Sequence, residues 1–103
     1  MNIFVDIDET IADFEVGEDT TDYYKARPIG INIEKINKLY DEGHTITYWT
    51  ARSSVSVHMR EEYTKLTIDQ LNEWGCKFHD VQVGNKPPYD MLICDKSRRI
   101  EEI

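Results

Sequence analysis

The sequence predicts a single α/β domain with a mostly parallel sheet and helices packed on its faces. Short apolar runs rich in β-branched residues alternate along the chain with segments of helical periodicity, and this alternation is typical of such sheets. The first apolar run does not alternate with polar residues, as expected for a strand buried on both faces. The length of 103 residues fits one domain.

The first half contains one strand, one polar segment and one helix. Asn2–Val5 is the apolar run, so we expect a strand there. Residues 9–27 are polar and acidic, which predicts a loop or small flap. Ile33 to Tyr40 have apolar residues at helical spacing, and Gly43 occupies the position that commonly ends a helix.

The second half repeats the alternation. Thr45–Trp49 is β-branched and aromatic, which predicts a second strand. N-cap chemistry at 53–56 precedes a helix over 63–74 that Gly75 ends. The remaining predicted elements are a strand over 78–83, a turn over 84–88, a strand from 90 or 91 to 94, and a helical turn or two over 96–103. The expected architecture is a Rossmann-like three-layer sandwich.

Composition and charge argue against some classes of function. The formal net charge is −8, and the eight acidic residues between Asp6 and Asp22 have no lysine or arginine among them. Nucleic-acid backbones select basic faces, so we expect no extended nucleic-acid surface. No apolar run approaches the roughly 18 residues that span a bilayer. Acidic residues stand where a signal peptide would be apolar, so we expect a cytoplasmic protein with Cys76 and Cys94 reduced.

Polar side chains end or follow each predicted strand. In a parallel sheet the carboxyl ends of the strands meet at one edge, where ligands bind. The residues concerned are Asp6, Thr50, Lys86 and Asp95. Carboxylate oxygens suit Mg²⁺, which takes one or two carboxylates together with substrate oxygens and water. The pattern therefore predicts a site for a metal and a phosphate.

Asp6 and Asp8 together can perform a two-step hydrolysis. A carboxylate can attack phosphorus to form an aspartyl-phosphate, and a second carboxyl group can protonate the leaving group. The second group can later deprotonate the attacking water.

The chain resembles the haloacid dehalogenase superfamily of phosphatases and phosphotransferases. The resemblance rests on four motifs in the family's order, which span nearly the whole chain. They are Asp-x-Asp-x-Thr at Asp6, Asp8 and Thr10, a strand-ending Thr50, a lysine at Lys86, and an acidic Asp95 after a late strand.

The resemblance implies a role for each matched residue. Asp6 would be nucleophile and Mg²⁺ ligand, and Asp8 the general acid and base with its backbone carbonyl on the metal. Thr10 would help orient the aspartate pair. Thr50 and Lys86 would hold the transferring phosphoryl group. Asp95 would complete the metal ligands.

Two positions depart from the family pattern. Glu9 stands where a glycine is usual, and Cys94 stands where a second aspartate often precedes Asp95. The chain leaves no room for a cap domain. It looks most similar to short bacterial and phage phosphatases of capsule or sugar-phosphate biosynthesis, and Arg52 is the expected second phosphate or carboxylate contact.

Several alternatives stay open. Lys96 rivals Lys86 as the phosphate lysine, because a parallel crossover normally needs a dozen or more residues and only seven separate the last two strands. A phospho-accepting signalling domain and a degenerate metal-binding protein are the competing functions. The expected substrate is a small phosphomonoester, either a sugar phosphate or a nucleotide. Capless enzymes often let a neighbouring subunit close the site, which leaves a homo-oligomer open.

Overall fold

The computed structural model describes residues 1–14, 23–50, 60–84, 91–93 and Ile100. Four strands form a sheet in the spatial order β5-β4-β1-β6, and every neighbouring pair is parallel. The strands are β1 (Asn2–Asp6), β4 (Thr45–Thr50), β5 (Asp80–Val83) and β6 (Met91–Ile93). The expected α/β class with a parallel sheet is therefore confirmed.

Two helices connect the central strands. Helix α1 (Gly30–Asp41) lies between β1 and β4 in the chain, and helix α2 (Arg60–Glu73) lies between β4 and β5. Both end as the sequence predicts. Gly43 has φ +98° and its N–H donates to the Tyr40 carbonyl, while Gly75 has φ +75°. These left-handed positions favour glycine because it has no Cβ.

The predicted flap has more structure than a loop. Strands β2 (Ala12–Asp13) and β3 (Arg27–Pro28) pair antiparallel, and a 3₁₀ turn covers Tyr23–Lys25. The sequence does not predict this two-stranded sheet, because each strand has only two residues and the segment is mostly polar.

The main core lies on one face of the sheet. Ile3 and Val5 of β1 stand beside Ile46 and Tyr48 of β4 in the parallel register, and all four are buried. Both helices contribute to this same cluster, α1 through Ile33 and Ile36 and α2 through Leu71. The described residues thus form two of the three expected layers. The other face has a smaller cluster of Phe4 and Trp49.

The strand order explains how a short connection can join two parallel strands. β5 and β6 lie at opposite edges of the sheet. Three strand spacings and a return of four residues along the sheet separate Val83 from Met91 by about 19 Å. Seven extended residues reach about 26 Å. The straight-line distance is therefore within reach of the seven connecting residues.

The third predicted strand begins later than the sequence suggests. His79 replaces the first ladder contact with its side chain: its Nδ1 accepts the N–H of Ile46 at 3.1 Å, and its own N–H donates to the Ile46 carbonyl at 2.8 Å. The ladder therefore starts at Asp80. Phe78 packs edge-on against Tyr48 instead of extending the strand.

Several of the sequence-based expectations concern residues that the structure does not describe. The N-cap at 53–56, the turn over 84–88 after Gly84, Cys94, and residues 96–103 apart from Ile100 lie outside the described residues. Cys76 is a free, buried thiol. Within the described part of the chain, no helix is long and apolar enough to cross a membrane.

Candidate active site at the carboxyl edge of the sheet

The parallel register brings Asp6 and Thr50 together at the carboxyl edge. Asp6 pairs with Trp49, so Thr50 lies one residue further along the neighbouring strand. This relation corresponds to a Cα separation of about 6 Å. Asp6 is half-buried, whereas Thr50 is only 1% exposed. The two residues that sequence reasoning assigned to the nucleophile and the phosphoryl contact are therefore neighbours.

A tight turn follows Asp6 immediately. The Ile7 N–H donates to Asp6 Oδ1 at 2.8 Å. The Ile7 carbonyl in turn accepts the N–H groups of Thr10, Ile11 and Ala12 at 3.2, 2.9 and 3.2 Å. Ile7 is fully buried, which fixes the turn to the core. The turn keeps half-buried Asp8 at the same edge instead of letting the strand continue outward.

The position that departs from the family pattern has an unusual backbone. Glu9 has φ +68°, in the left-handed region that glycine adopts most readily. Its N–H donates to the Ala12 carbonyl at 2.7 Å, which closes the turn. A glycine is the natural choice here for a conformational reason, and Glu9 carries the cost of a side chain at a left-handed position.

Thr10 lies under this turn. It is fully buried, and its Oγ1 has no hydrogen-bond partner among the described residues. A buried hydroxyl normally has a partner, so this oxygen points to one that the described part of the chain does not supply. The backbone of Thr10 is held from α1, because Asn32 Nδ2 donates to its carbonyl at 2.8 Å.

The chain that leaves β5 is fastened to the end of β4. The Gly84 N–H donates to the Thr50 carbonyl at 2.8 Å, and the Gly84 carbonyl accepts the indole N–H of Trp49 at 3.0 Å. The two hydrogen bonds fix Gly84 at the carboxyl end of β4, and Lys86 follows it by two residues in the sequence. Trp49 therefore also holds the end of β5 beside β4.

Three of the expected site residues, Arg52, Lys86 and Asp95, lie outside the described residues. The described part supplies the carboxylates of Asp6 and Asp8 and contains no group of three metal-binding side chains. One or two carboxylates are what Mg²⁺ usually takes from a protein. The Asp6 carboxylate and the Asp8 backbone carbonyl are oxygen donors that fit a magnesium ion, with Asp95 as the expected further ligand.

The site lies at the topological switch point of the sheet. Numbered along the chain, the four parallel strands have the spatial order 3-2-1-4. The order reverses at β1, which has β4 on one side and β6 on the other. Open α/β sheets bind ligands in the crevice at this point. Asp6 ends β1 and Asp8 follows it, at the place where such a crevice is expected.

Two contributors were missed by sequence reasoning. Asn32 and the clamp between Trp49 and Gly84 support the site through hydrogen bonds to backbone carbonyls. Such contacts depend on how α1 and β5 pack against the sheet, so no local pattern marks them. The Asx character of Asn32 near a helix start is the only signal, and it equally suggests a cap.

Comparisons with known proteins support the fold. No family model matches the chain, and no curated protein matches it. Among solved structures, the chain is similar to a target protein from Vibrio cholerae, with a TM-score of 0.69 and 22% identity, covering 84% of this chain and 72% of that chain. At this identity the likeness shows a shared fold.

Proposed function

We propose that this chain is a magnesium-dependent phosphomonoester hydrolase that uses Asp6 as its nucleophile. One observation supports this proposal above the others. The Asp6-x-Asp8 pair sits on a tight turn at the switch point of a parallel sheet, beside buried Thr50. This arrangement supplies a nucleophile, a proton donor and a hydroxyl contact at one edge.

In the first step an Asp6 carboxylate oxygen attacks phosphorus, and the bond from phosphorus to the ester oxygen breaks. Asp8 gives its proton to that departing oxygen, which leaves as an alcohol. In the second step Asp8, now a carboxylate, takes a proton from water as the water oxygen attacks the aspartyl-phosphate. Inorganic phosphate leaves, Asp6 is restored as a carboxylate, and Asp8 is again protonated.

The neighbouring residues serve to hold the phosphoryl group. Thr50 would donate its hydroxyl to a phosphoryl oxygen, while Lys86 and Arg52 would balance negative charge. Bound Mg²⁺ would supply further charge neutralisation and alignment, with Asp6, the Asp8 carbonyl and Asp95 as its protein ligands. The turn around the Ile7 carbonyl fixes Asp8 relative to Asp6.

The proposed substrate is small. The net charge of −8 disfavours long polyanions but allows a compact phosphate held by metal and local cations. A sugar phosphate or a nucleotide meets this requirement. A cytoplasmic location and the option of a homo-oligomer belong to the same proposal.

The strand order weighs against the signalling-domain alternative. Phospho-accepting domains of the flavodoxin-like kind have the order 2-1-3-4-5. Here the order is 3-2-1-4, with the second strand between the first and third. No aspartate ends that second strand, where the phospho-acceptor would be needed.

The proposal is tested with purified protein and a chromogenic phosphomonoester, with and without Mg²⁺. Asp6→Asn should lower kcat/KM by at least about a thousandfold, because the nucleophile is lost. Asp13→Asn is a matched control, since Asp13 is exposed on β2 in the same acidic segment. The control should have the same kcat/KM as the natural chain. Turnover that does not depend on Mg²⁺, or that survives Asp6→Asn, would refute the proposal.

A further inference from the structure

Two arms of the chain lead away from the candidate site residues. One arm is the flap, made of β2, β3 and the 3₁₀ turn, which follows Asp6 and Asp8. The other is α2, which follows Thr50. The base of the flap is bonded into the site turn, because the Glu9 N–H donates to the Ala12 carbonyl and the Ile29 N–H donates to the Ile11 carbonyl.

The start of α2 lies at the same edge as the site. The chain beyond α2 reaches the amino end of β4, where the His79 N–H donates to Ile46. Helix α2 has 14 residues and is therefore about 21 Å long. Since it joins two parallel strands, it runs back along the sheet and begins near the carboxyl edge.

A side-chain hydrogen bond joins the two arms. The Tyr24 hydroxyl donates to Glu62 Oε1, across 38 residues of sequence. Glu62 lies in the first turn of α2. Tyr24 also lines a small cavity of about 210 Å³ with Glu62, Lys65, Leu66 and Asp69. The flap thus contacts α2 through Tyr24, and this contact begins in the first turn of the helix.

We propose that the Tyr24–Glu62 hydrogen bond is a strap that ties the flap to α2 and limits the size of the leaving group that can reach Asp6. This inference rests on the proposed phosphohydrolase activity. Tyr24 and Glu62 act as positioning residues, because they set the distance between the two arms without contacting the phosphoryl group. Opening the strap widens access for bulky esters and leaves small esters nearly unchanged.

The first test compares kcat/KM for a small and a bulky phosphomonoester, for example an alkyl phosphate and a nucleoside monophosphate. Tyr24→Phe removes the hydroxyl and keeps the ring. One exposed hydrogen bond should shift the bulky-to-small ratio in favour of the bulky ester by about two- to fivefold. Glu62→Ala should give the same shift. Glu62→Gln, which still accepts a hydrogen bond, should restore the natural ratio.

Glu61→Gln is the matched control, because Glu61 is also exposed in the first turn of α2. It should leave the ratio unchanged. An unchanged ratio in Tyr24→Phe, or an equal change in Glu61→Gln, would overturn the proposal.

A second measurement does not depend on catalysis. Hydrogen exchange of the backbone amides of Glu9 and Ile29 reports opening of the flap base. Both amides should exchange about two- to fivefold faster in Tyr24→Phe than in the natural chain or Glu61→Gln. Equal exchange rates would refute the strap even if the chain is a phosphatase. Faster exchange without any phosphatase activity in the natural chain would keep the strap as a contact and remove its proposed role in catalysis.

Discussion

At the scale of single residues, the candidate site depends on one short turn. The Ile7 carbonyl accepts three backbone N–H groups, and this places Asp8 and Thr10 immediately beyond Asp6. Glu9 occupies the left-handed position that the turn requires. Asn32 holds the Thr10 carbonyl from α1. The first motif could be recognised from the sequence, but the support from Asn32 could not, because it depends on where α1 docks.

The first prediction concerns Glu9. Glu9→Gly should raise the free energy of unfolding by up to about 1 kcal/mol, because relief at a left-handed position exceeds the added entropy of the unfolded chain. Glu42→Gly is the control, since Glu42 is exposed with φ −77°. The control should instead lower stability by about 0.5–1 kcal/mol. Urea denaturation measures both. A destabilised Glu9→Gly would show that the turn is not strained.

The second prediction concerns Asn32. Asn32→Ala removes the hydrogen bond to Thr10 and should lower kcat about three- to tenfold, because the turn that holds Asp8 loosens. Glu34→Ala, at an exposed position of the same helix, should leave kcat unchanged. Steady-state kinetics at saturating substrate distinguish the two. Equal kcat values for both variants would contradict a role of Asn32 in supporting the site.

At the scale of elements, hydrogen bonds from side chains to the backbone set how the helices join the sheet. Asn37 of α1 spans the link between α2 and β5: its Nδ2 donates to the Gly75 carbonyl at 3.0 Å, and its Oδ1 accepts the Lys77 N–H at 2.8 Å. Lys77 also forms a 2.8 Å ion pair with Asp41. Because both partners of this pair are exposed, it adds little to stability.

The third prediction tests this link. Asn37→Ala should lower the free energy of unfolding by about 1–2 kcal/mol, because two backbone groups lose their partner. Asn72→Ala is the control, since Asn72 is exposed on α2 and alanine favours helices. It should be neutral or slightly stabilising. Thermal or urea unfolding gives both values, and equal stability of the two variants would contradict the assigned role.

The sequence predicts an element best where apolar residues recur at helical spacing and a glycine follows at the expected end of the helix. Gly43 and Gly75 mark both helix ends correctly because left-handed backbone leaves few alternatives. Strand β5 begins two residues later than the sequence predicts, because the His79 side chain takes the place of a backbone contact. The two-residue strands of the flap could not be predicted, since pairing between distant short segments leaves no periodic pattern.

At the scale of the whole molecule, the core contains two buried groups that can ionise at high pH, the Cys76 thiol and the Tyr48 hydroxyl. Burial raises the pKa of the Cys76 thiol to about 11, and burial beside Cys76 raises the pKa of Tyr48 well above its ordinary value. The Tyr48 hydroxyl has no hydrogen-bond partner of ordinary geometry among the described residues. Ionising either group in the folded state is therefore unfavourable.

The fourth prediction follows from the sign of these shifts. The unfolded chain loses the thiol proton near its ordinary pKa of 9.0, whereas the folded chain keeps it until about 11. The contribution is complete below pH 9 and is lost as pH rises toward 11. In a Cys94→Ser background, adding Cys76→Ala should flatten the fall in unfolding free energy over this range. An unchanged slope would contradict the burial of the thiol.

At the scale of the whole molecule, Asp6 is the proposed nucleophile of the site, and one measurement tests that role most directly. Asp8→Asn should still form the aspartyl-phosphate from an ester with a good leaving group, which needs no proton, but should hydrolyse it roughly a hundred- to ten-thousandfold more slowly. Rapid quench with Mg²⁺ and a nitrophenyl phosphate, followed by intact mass and peptide analysis, should find one phosphoryl group on Asp6. Efficient turnover with no phosphoryl group on the protein, or with the group on another residue, would contradict the account.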